Sequence, residues 1–206
     1  MEGTHEIIHP RPFLITAEVL LVLALIESQK NQWGSILLLA ASTTLYYMGM
    51  AELARRRLGK WAVRRFTMAY LLRALSWALM LASAYYTYSA VIKNVLPFGP
   101  KEFVVTSVMA LAGAAVNYVA VGIRNSVLWK IEGLKTSLWF SRLNAVVLFL
   151  MAAVPFIPLA EVEGLKWLIA LLAAPVLGSF TVFTVLGKVF YWLFLIRMNP
   201  APQGSS

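Results

Sequence analysis

The sequence predicts an all-α, polytopic integral membrane protein. The expected fold is a bundle of six transmembrane helices, with a short cytoplasmic interfacial helix between the fourth and the fifth. Three observations carry this expectation. Of 206 residues, 60% are hydrophobic and only 13% are charged, about half the charged share of a soluble domain. The apolar residues gather in six runs, each about as long as the 17–25 residues a helix needs to cross a bilayer. The basic residues concentrate in alternate connections between those runs. A water-soluble core of this size has no room for so much apolar surface. Lipid is therefore the expected solvent, and residues 1–206 read as a single transmembrane domain.

The first run covers about residues 12–28. Only Arg11 precedes it closely and no small-x-small cleavage pattern follows it, so it is expected to stay as a membrane helix. The second covers about 35–55 and ends against the charge run "ARRRLGKWAVRR", which reads as a topology anchor. The third, about 67–92, closes on "YYTYS" at 85–89, an aromatic belt at the outer interface. The fourth and fifth cover about 103–123 and 143–161. The sixth, about 167–196, is long enough to tilt or to extend past the bilayer. Between the fourth and fifth, "RNSVLWKIEGLKTSLWFSR" is too polar to span. Val127, Ile131, Leu134 and Leu138 recur there at helical spacing, with Trp129 and Trp139 beside charged residues. That pattern predicts a helix over about 125–141 lying in the headgroup layer. A plain extension of the fourth helix is the alternative. "PFGP" (97–100) and "PFIP" (155–158) are alike, but the helices flanking them do not match at that offset, so no duplication is read from them.

Placing both termini on one side gives that side twelve lysines and arginines and the other side four; Arg73 and Lys188 lie within spans. The positive-inside rule then puts both termini in the cytoplasm of a cell-membrane protein. Topology and anionic lipids at the cytoplasmic face account for the net charge of +9, and no nucleic-acid partner is needed. Beyond the bilayer, the expected partners are a second copy of the chain or a separate membrane subunit.

Several chemistries are excluded. Without cysteine there are no disulfides, thiolate metal sites or cysteine nucleophiles. All nine acidic residues are Glu, and the two histidines, His5 and His9, precede the first run. A haem held between histidines of facing membrane helices is thereby ruled out, and the zinc motif His-Glu-x-x-His is absent. Intramembrane hydrolases generally need a Ser/His pair, paired carboxylates or metal ligands. No enzyme, catalytic residue, metal or cofactor is expected.

What remains is a set of polar residues inside the spans. Glu18, Arg73, Asn117 and Lys188 stand on four different helices, six to eight residues from the inner end of each. At 1.5 Å per residue that is roughly 9–12 Å below the interface. An unpaired charge near the membrane centre costs about 2.5–3.5 kcal/mol on insertion scales. Arg73 and Lys188 can snorkel toward the headgroups. Glu18 is too short, so it is expected to pair with one of them or to be protonated. The sixth helix carries a polar stripe of Gly178, Thr181, Thr184, Lys188 and Tyr191, one turn below Pro175. The second carries Ser42, Tyr46, Gly49 and Glu52, and the third Tyr70, Arg73, Ser76, Trp77 and Ser83. The candidate ion- or substrate-binding set is Glu18, Arg73, Lys188, Thr184, Thr181, Ser76, Asn117 and Tyr46. Each has a plainer role beside it. Asn117 shares a face with Ala110, Gly113 and Ala114, where an amide can bridge closely packed helices. Arg73 and Lys188 can be simple snorkelling residues, and Glu52 lies close enough to the basic run to form an interfacial ion pair.

These residues suit a small transporter or channel for an ion or small anionic solute. They also suit a non-transporting sensor module or accessory subunit of a larger membrane complex. One further reading rests on a resemblance. "GKVFYWLFLIR" (187–197) resembles the final helix of microbial rhodopsins, and "RALSW" (73–77) is similar to their third helix. The resemblance implies that Lys188 would hold retinal as a Schiff base, with Arg73 and Trp77 in matching places. It departs from that family where carboxylate counterions would fall on Ser76 and Thr184, and where six spans are read instead of seven.

Overall fold

Helix α1 (Pro10–Glu27) starts on a proline, whose fixed φ and missing N–H suit a first helical turn. After a short turn the chain continues as α2 (Gln32–Leu58), α3 (Lys60–Thr87), α4 (Pro100–Leu128), α5 (Lys135–Ala153) and α6 (Glu163–Arg197). A five-residue π-helical segment, Tyr88–Ile92, extends α3. The structure is a computed structural model. It describes residues 9–92, 95–97, 99–153 and 163–198, with the backbone alone at 32–33, 91–92 and 163–177. Among the described residues there is no strand.

Among the described residues, five helical stretches are long and apolar enough to cross a membrane by length and composition: Gly34–Leu58, Lys60–Ala90, Pro100–Leu128, Lys135–Ala153 and Gly178–Arg197. The 18-residue α1 is also largely apolar but carries three charged residues, Arg11, Glu18 and Glu27. The upper part of the fifth expected span, from 154, lies outside the described residues.

Two glycines set the joints. Gly59 has φ +89° and is the single residue between α2 and α3. Its N–H bonds the Arg55 carbonyl at 2.9 Å, capping α2 in the left-handed conformation that glycine adopts most easily. Gly133, with φ +86°, lies in the turn before α5. This corrects the expected interfacial helix over 125–141. That segment is the end of α4, a turn, and the start of α5. The helical spacing of Val127, Ile131, Leu134 and Leu138 is real, and all four are buried. However, α4 ends at Leu128 and α5 starts at Lys135, with a turn holding Gly133 between them, and the four side chains pack against the protein. At the start of α4, the Glu102 carboxylate accepts the Gly99 N–H at 2.9 Å, and Pro100 opens the first turn.

The backbone divides into two compact units, residues 1–67 with 191–206, and residues 68–190. In the first, α1 and α2 form an antiparallel hairpin. Ser42 Oγ donates to the Ala17 carbonyl at 2.7 Å, and Ser35 Oγ to the Ala24 carbonyl at 2.8 Å. The two serines and the two alanines are each seven residues apart. Seven further on comes Gly49, where a Cβ would lie 2.7 Å from Leu14 Cδ2. A seven-residue repeat keeps one helix face against its neighbour, and small residues at the repeat let the backbones close up. On the other side of α2, Tyr47 stacks on Phe66 with ring centres 5.6 Å apart. The Tyr47 hydroxyl lies 2.6 Å from Thr67 Oγ1. Because Thr67 gives its own proton to the Val63 carbonyl, Tyr47 is the donor.

The second unit repeats the device once, and a looser pair of bonds joins α5 to α6, with acceptors three residues apart on α6. Between α3 and α4, Ser76 Oγ donates to the Gly113 carbonyl at 2.7 Å and Ser83 Oγ to the Thr106 carbonyl at 2.8 Å, again seven residues apart on each helix. Between α5 and α6, Ser137 Oγ donates to the Gly187 carbonyl at 2.9 Å. Seven residues along α5, Asn144 Nδ2 donates to Thr184 Oγ1 at 2.8 Å. Phe140 packs between Phe183 and Phe190, at 6.1 and 5.7 Å between ring centres.

Candidate functional site

The expected site residues divide between the two units. Glu18 and Tyr46 belong to the first; Arg73, Ser76, Asn117, Thr181, Thr184 and Lys188 belong to the second. Within the first, Glu18 is only 4% exposed. It follows Ala17, whose carbonyl takes the Ser42 proton, so it sits beside the α1–α2 seam. Tyr46 meets Tyr191 edge to face, with ring centres 5.9 Å apart and planes at 62°. At the start of α1 a groove of about 440 Å³ is lined by His9, Arg11, Pro12, Ile15 and Thr16. Arg11 Nε is buried there and meets no acceptor among the described residues.

Within the second unit the polar residues have mixed roles. Ser76 is fully buried and its proton is committed to the Gly113 carbonyl. Thr184 accepts from Asn144 and passes its own proton to the Phe180 carbonyl. Asn117 is 6% exposed, on the same face of α4 as Gly113 and Ala114. Its Oδ1 is buried and accepts no hydrogen bond among the described residues, so the expected amide bridge through that oxygen is not made. Arg73 and Lys188 are half-buried. None of Glu18, Arg73, Thr181 and Lys188 is without an interaction partner.

Glu52 forms the expected ion pair at the basic run. Arg55 grips its carboxylate with two bonds, Nε to Oε2 at 2.7 Å and Nη2 to Oε1 at 2.8 Å. Arg56 Nε adds a third at 2.8 Å.

A polar cluster that the sequence reading passed over joins α4 to α5. Arg124 is 9% exposed and Asn125 7%. Arg124 Nε and Nη2 donate to Asn125 Oδ1 at 3.2 and 3.0 Å. Nη2 also donates to Ser141 Oγ. Asn125 Nδ2 in turn donates to the Leu138 carbonyl at 2.9 Å. One helical turn beyond Ser141 stands Asn144, whose Oδ1 is buried and accepts no bond among the described residues. The signal for this cluster was present. Gly113, Asn117, Ala120 and Arg124 follow one another at three- and four-residue steps, so the small-residue face of α4 runs straight into Arg124.

Among the described residues no group of three His, Asp or Glu side chains could hold a metal ion. The polar groups present can donate and accept hydrogen bonds, hold an anion against a guanidinium, or exchange a proton at a carboxylate. No family model, no curated protein and no solved structure matches the chain.

Proposed function

We propose that the chain is a small membrane transporter or channel for an ion or small anionic solute. Its polar site lies in the inner half of the bundle, with both termini in the cytoplasm. The observation that carries this reading is Glu18, a carboxylate within a largely apolar helix and only 4% exposed. Ionisable residues inside membrane helices are costly, face the protein interior, and mark ion and proton paths. Glu18 serves as the proton or cation site, while Arg73 and Lys188 draw in negative charge. Tyr46 accompanies Glu18 in the first unit, and Thr181, Thr184, Ser76 and Asn117 accompany Arg73 and Lys188 in the second.

The test is reconstitution into liposomes with a broad screen of ions and metabolites. Wild-type protein should carry at least one of them, and Glu18→Gln should change the flux or its pH dependence. Absence of any wild-type flux ends this reading.

A second reading, a non-transporting accessory subunit or sensor module, draws on the seams. Ser42, Ser76, Ser83 and Ser137 all commit their protons to carbonyls of the facing helix, which is packing chemistry. A stable membrane partner that co-purifies with the chain, together with no flux by the chain alone, would decide for it.

A further inference from the structure

Arg124 is a buried cation with an incomplete set of partners. A guanidinium offers five N–H donors. Among the described residues its hydrogen bonds go to Asn125 Oδ1 and Ser141 Oγ. Both are neutral, and both bind through Nε or Nη2. Among the described residues the Nη1 end of the fork donates to no protein acceptor. No carboxylate forms an ion pair with Arg124 among the described residues, although the side chain belongs to a residue that is 9% exposed. Nη1 is not among the buried unpartnered atoms, so this end of a largely buried cation, held by neutral partners alone, is open to a small anion from outside.

The surroundings specify which anion. Arg124 lies one turn before the end of α4. Exposed Lys130, Lys135 and Arg142 follow it, and from residue 103 through 160 the only acid is Glu132. Trp129 and Trp139 are 42% and 50% exposed, the amphipathic rings expected at headgroup depth. A planar, fixed guanidinium matches the oxygens of a phosphate group. Asn125 and Ser141 hold that plane still from one side.

We propose that Arg124 is an anion-binding residue whose Nη1 edge, presented by Asn125 and Ser141 at the α4–α5 junction, takes a phosphate group. Acidic phospholipid headgroups and inorganic phosphate both carry this chemistry. The site stands independently of the transport reading, since it uses none of the residues assigned there.

Thermal unfolding of the purified full chain in neutral detergent tests it, with phosphatidylglycerol, phosphatidylcholine or inorganic phosphate added in turn. Phosphatidylglycerol should raise the melting temperature of the wild type by at least about 3 °C, and Arg124→Gln should lose most of that shift. Arg142→Gln should keep it. A matching shift with inorganic phosphate, also lost in Arg124→Gln, assigns the site to phosphate from solution. A shift with phosphatidylglycerol alone assigns it to the headgroup. A wild type that neither phosphatidylglycerol nor phosphate moves overturns the proposal, as do equal shifts in wild type and Arg124→Gln. Should Arg124→Gln not be recovered folded, Arg124→Lys decides. It keeps the charge and loses the fork, so a shift as large as that of the wild type overturns the assignment.

Discussion

The hydroxyl of Ser76 donates to the backbone carbonyl of Gly113 at 2.7 Å, across a close approach of α3 and α4. A Cβ on Gly113 would lie 2.7 Å from Met80 Cγ and 3.0 Å from the Ser76 carbonyl oxygen. The bond and the missing side chain depend on each other, because the hydroxyl reaches the carbonyl only while the backbones stay close. Ser76→Ala should therefore cost about 1 kcal/mol, as interhelical hydrogen bonds in membranes do. Gly113→Ala should cost about 1–3 kcal/mol through overpacking against backbone. Gly122 on the same helix has open space around it, so Gly122→Ala should be neutral or slightly stabilising. Unfolding in mixed micelles checks this order.

In the α1–α2 hairpin the same closeness is held by a side chain. A Cβ on Gly49 would meet Leu14 at 2.7 and 2.8 Å, and Leu14 is fully buried. Gly49→Ala should destabilise the hairpin, and Leu14→Ala should partly rescue it by vacating the space. The double mutant is expected to be more stable than the sum of the two losses by about 0.5–3 kcal/mol, the range for residues in contact.

Gly59 tests the joint between α2 and α3. At φ +89°, a β-branched residue is the worst replacement and asparagine the mildest. Unfolding temperatures should fall in the order Gly59, Gly59→Asn, Gly59→Ala, Gly59→Val.

Glu52 should matter little at rest and less in salt. Its side chain is 17% exposed and that of Arg55 47%. Glu52→Gln is expected to cost about 0.2–1 kcal/mol. The difference from wild type should shrink as ionic strength rises, because screening acts on exposed pairs.

The likeness to retinal proteins gives a spectroscopic prediction. A protonated Schiff base on Lys188 would need a counterion, and by that resemblance Ser76 and Thr184 would stand where the carboxylates are expected. Their hydroxyls are already bound to the Gly113 and Phe180 carbonyls. Adding retinal to the purified chain should give no red-shifted absorbance band.

The helices were legible because burial in lipid demands long apolar runs, and turns demand glycine or proline. Each described helix overlaps an expected run. The ends differ where charge was taken as a boundary. α3 starts at Lys60, ahead of the expected 67, because a charged helical turn outside the bilayer has no reason to break; Gly59 makes the break instead. Partners were harder to read. Counting residues from a membrane edge gives depth but not direction around the helix. Ser76 shares a face with Arg73 on paper, yet its proton goes to α4. Arg124 was counted as a loop cation because hydropathy falls there, although the face it belongs to began at Gly113. The seven-residue spacing of Ser35, Ser42 and Gly49, and of Ser76 and Ser83, was available throughout.

That spacing limits how these helices can move. Two bonds two turns apart fit a single alignment. A slide of one turn would set both hydroxyls against the wrong carbonyls together, and the next fit lies about 10 Å away, where one of the two pairs has lost its mate. Piston strokes along the α1–α2 and α3–α4 seams are thereby disfavoured, and tilting within the fixed alignment is the cheaper motion there.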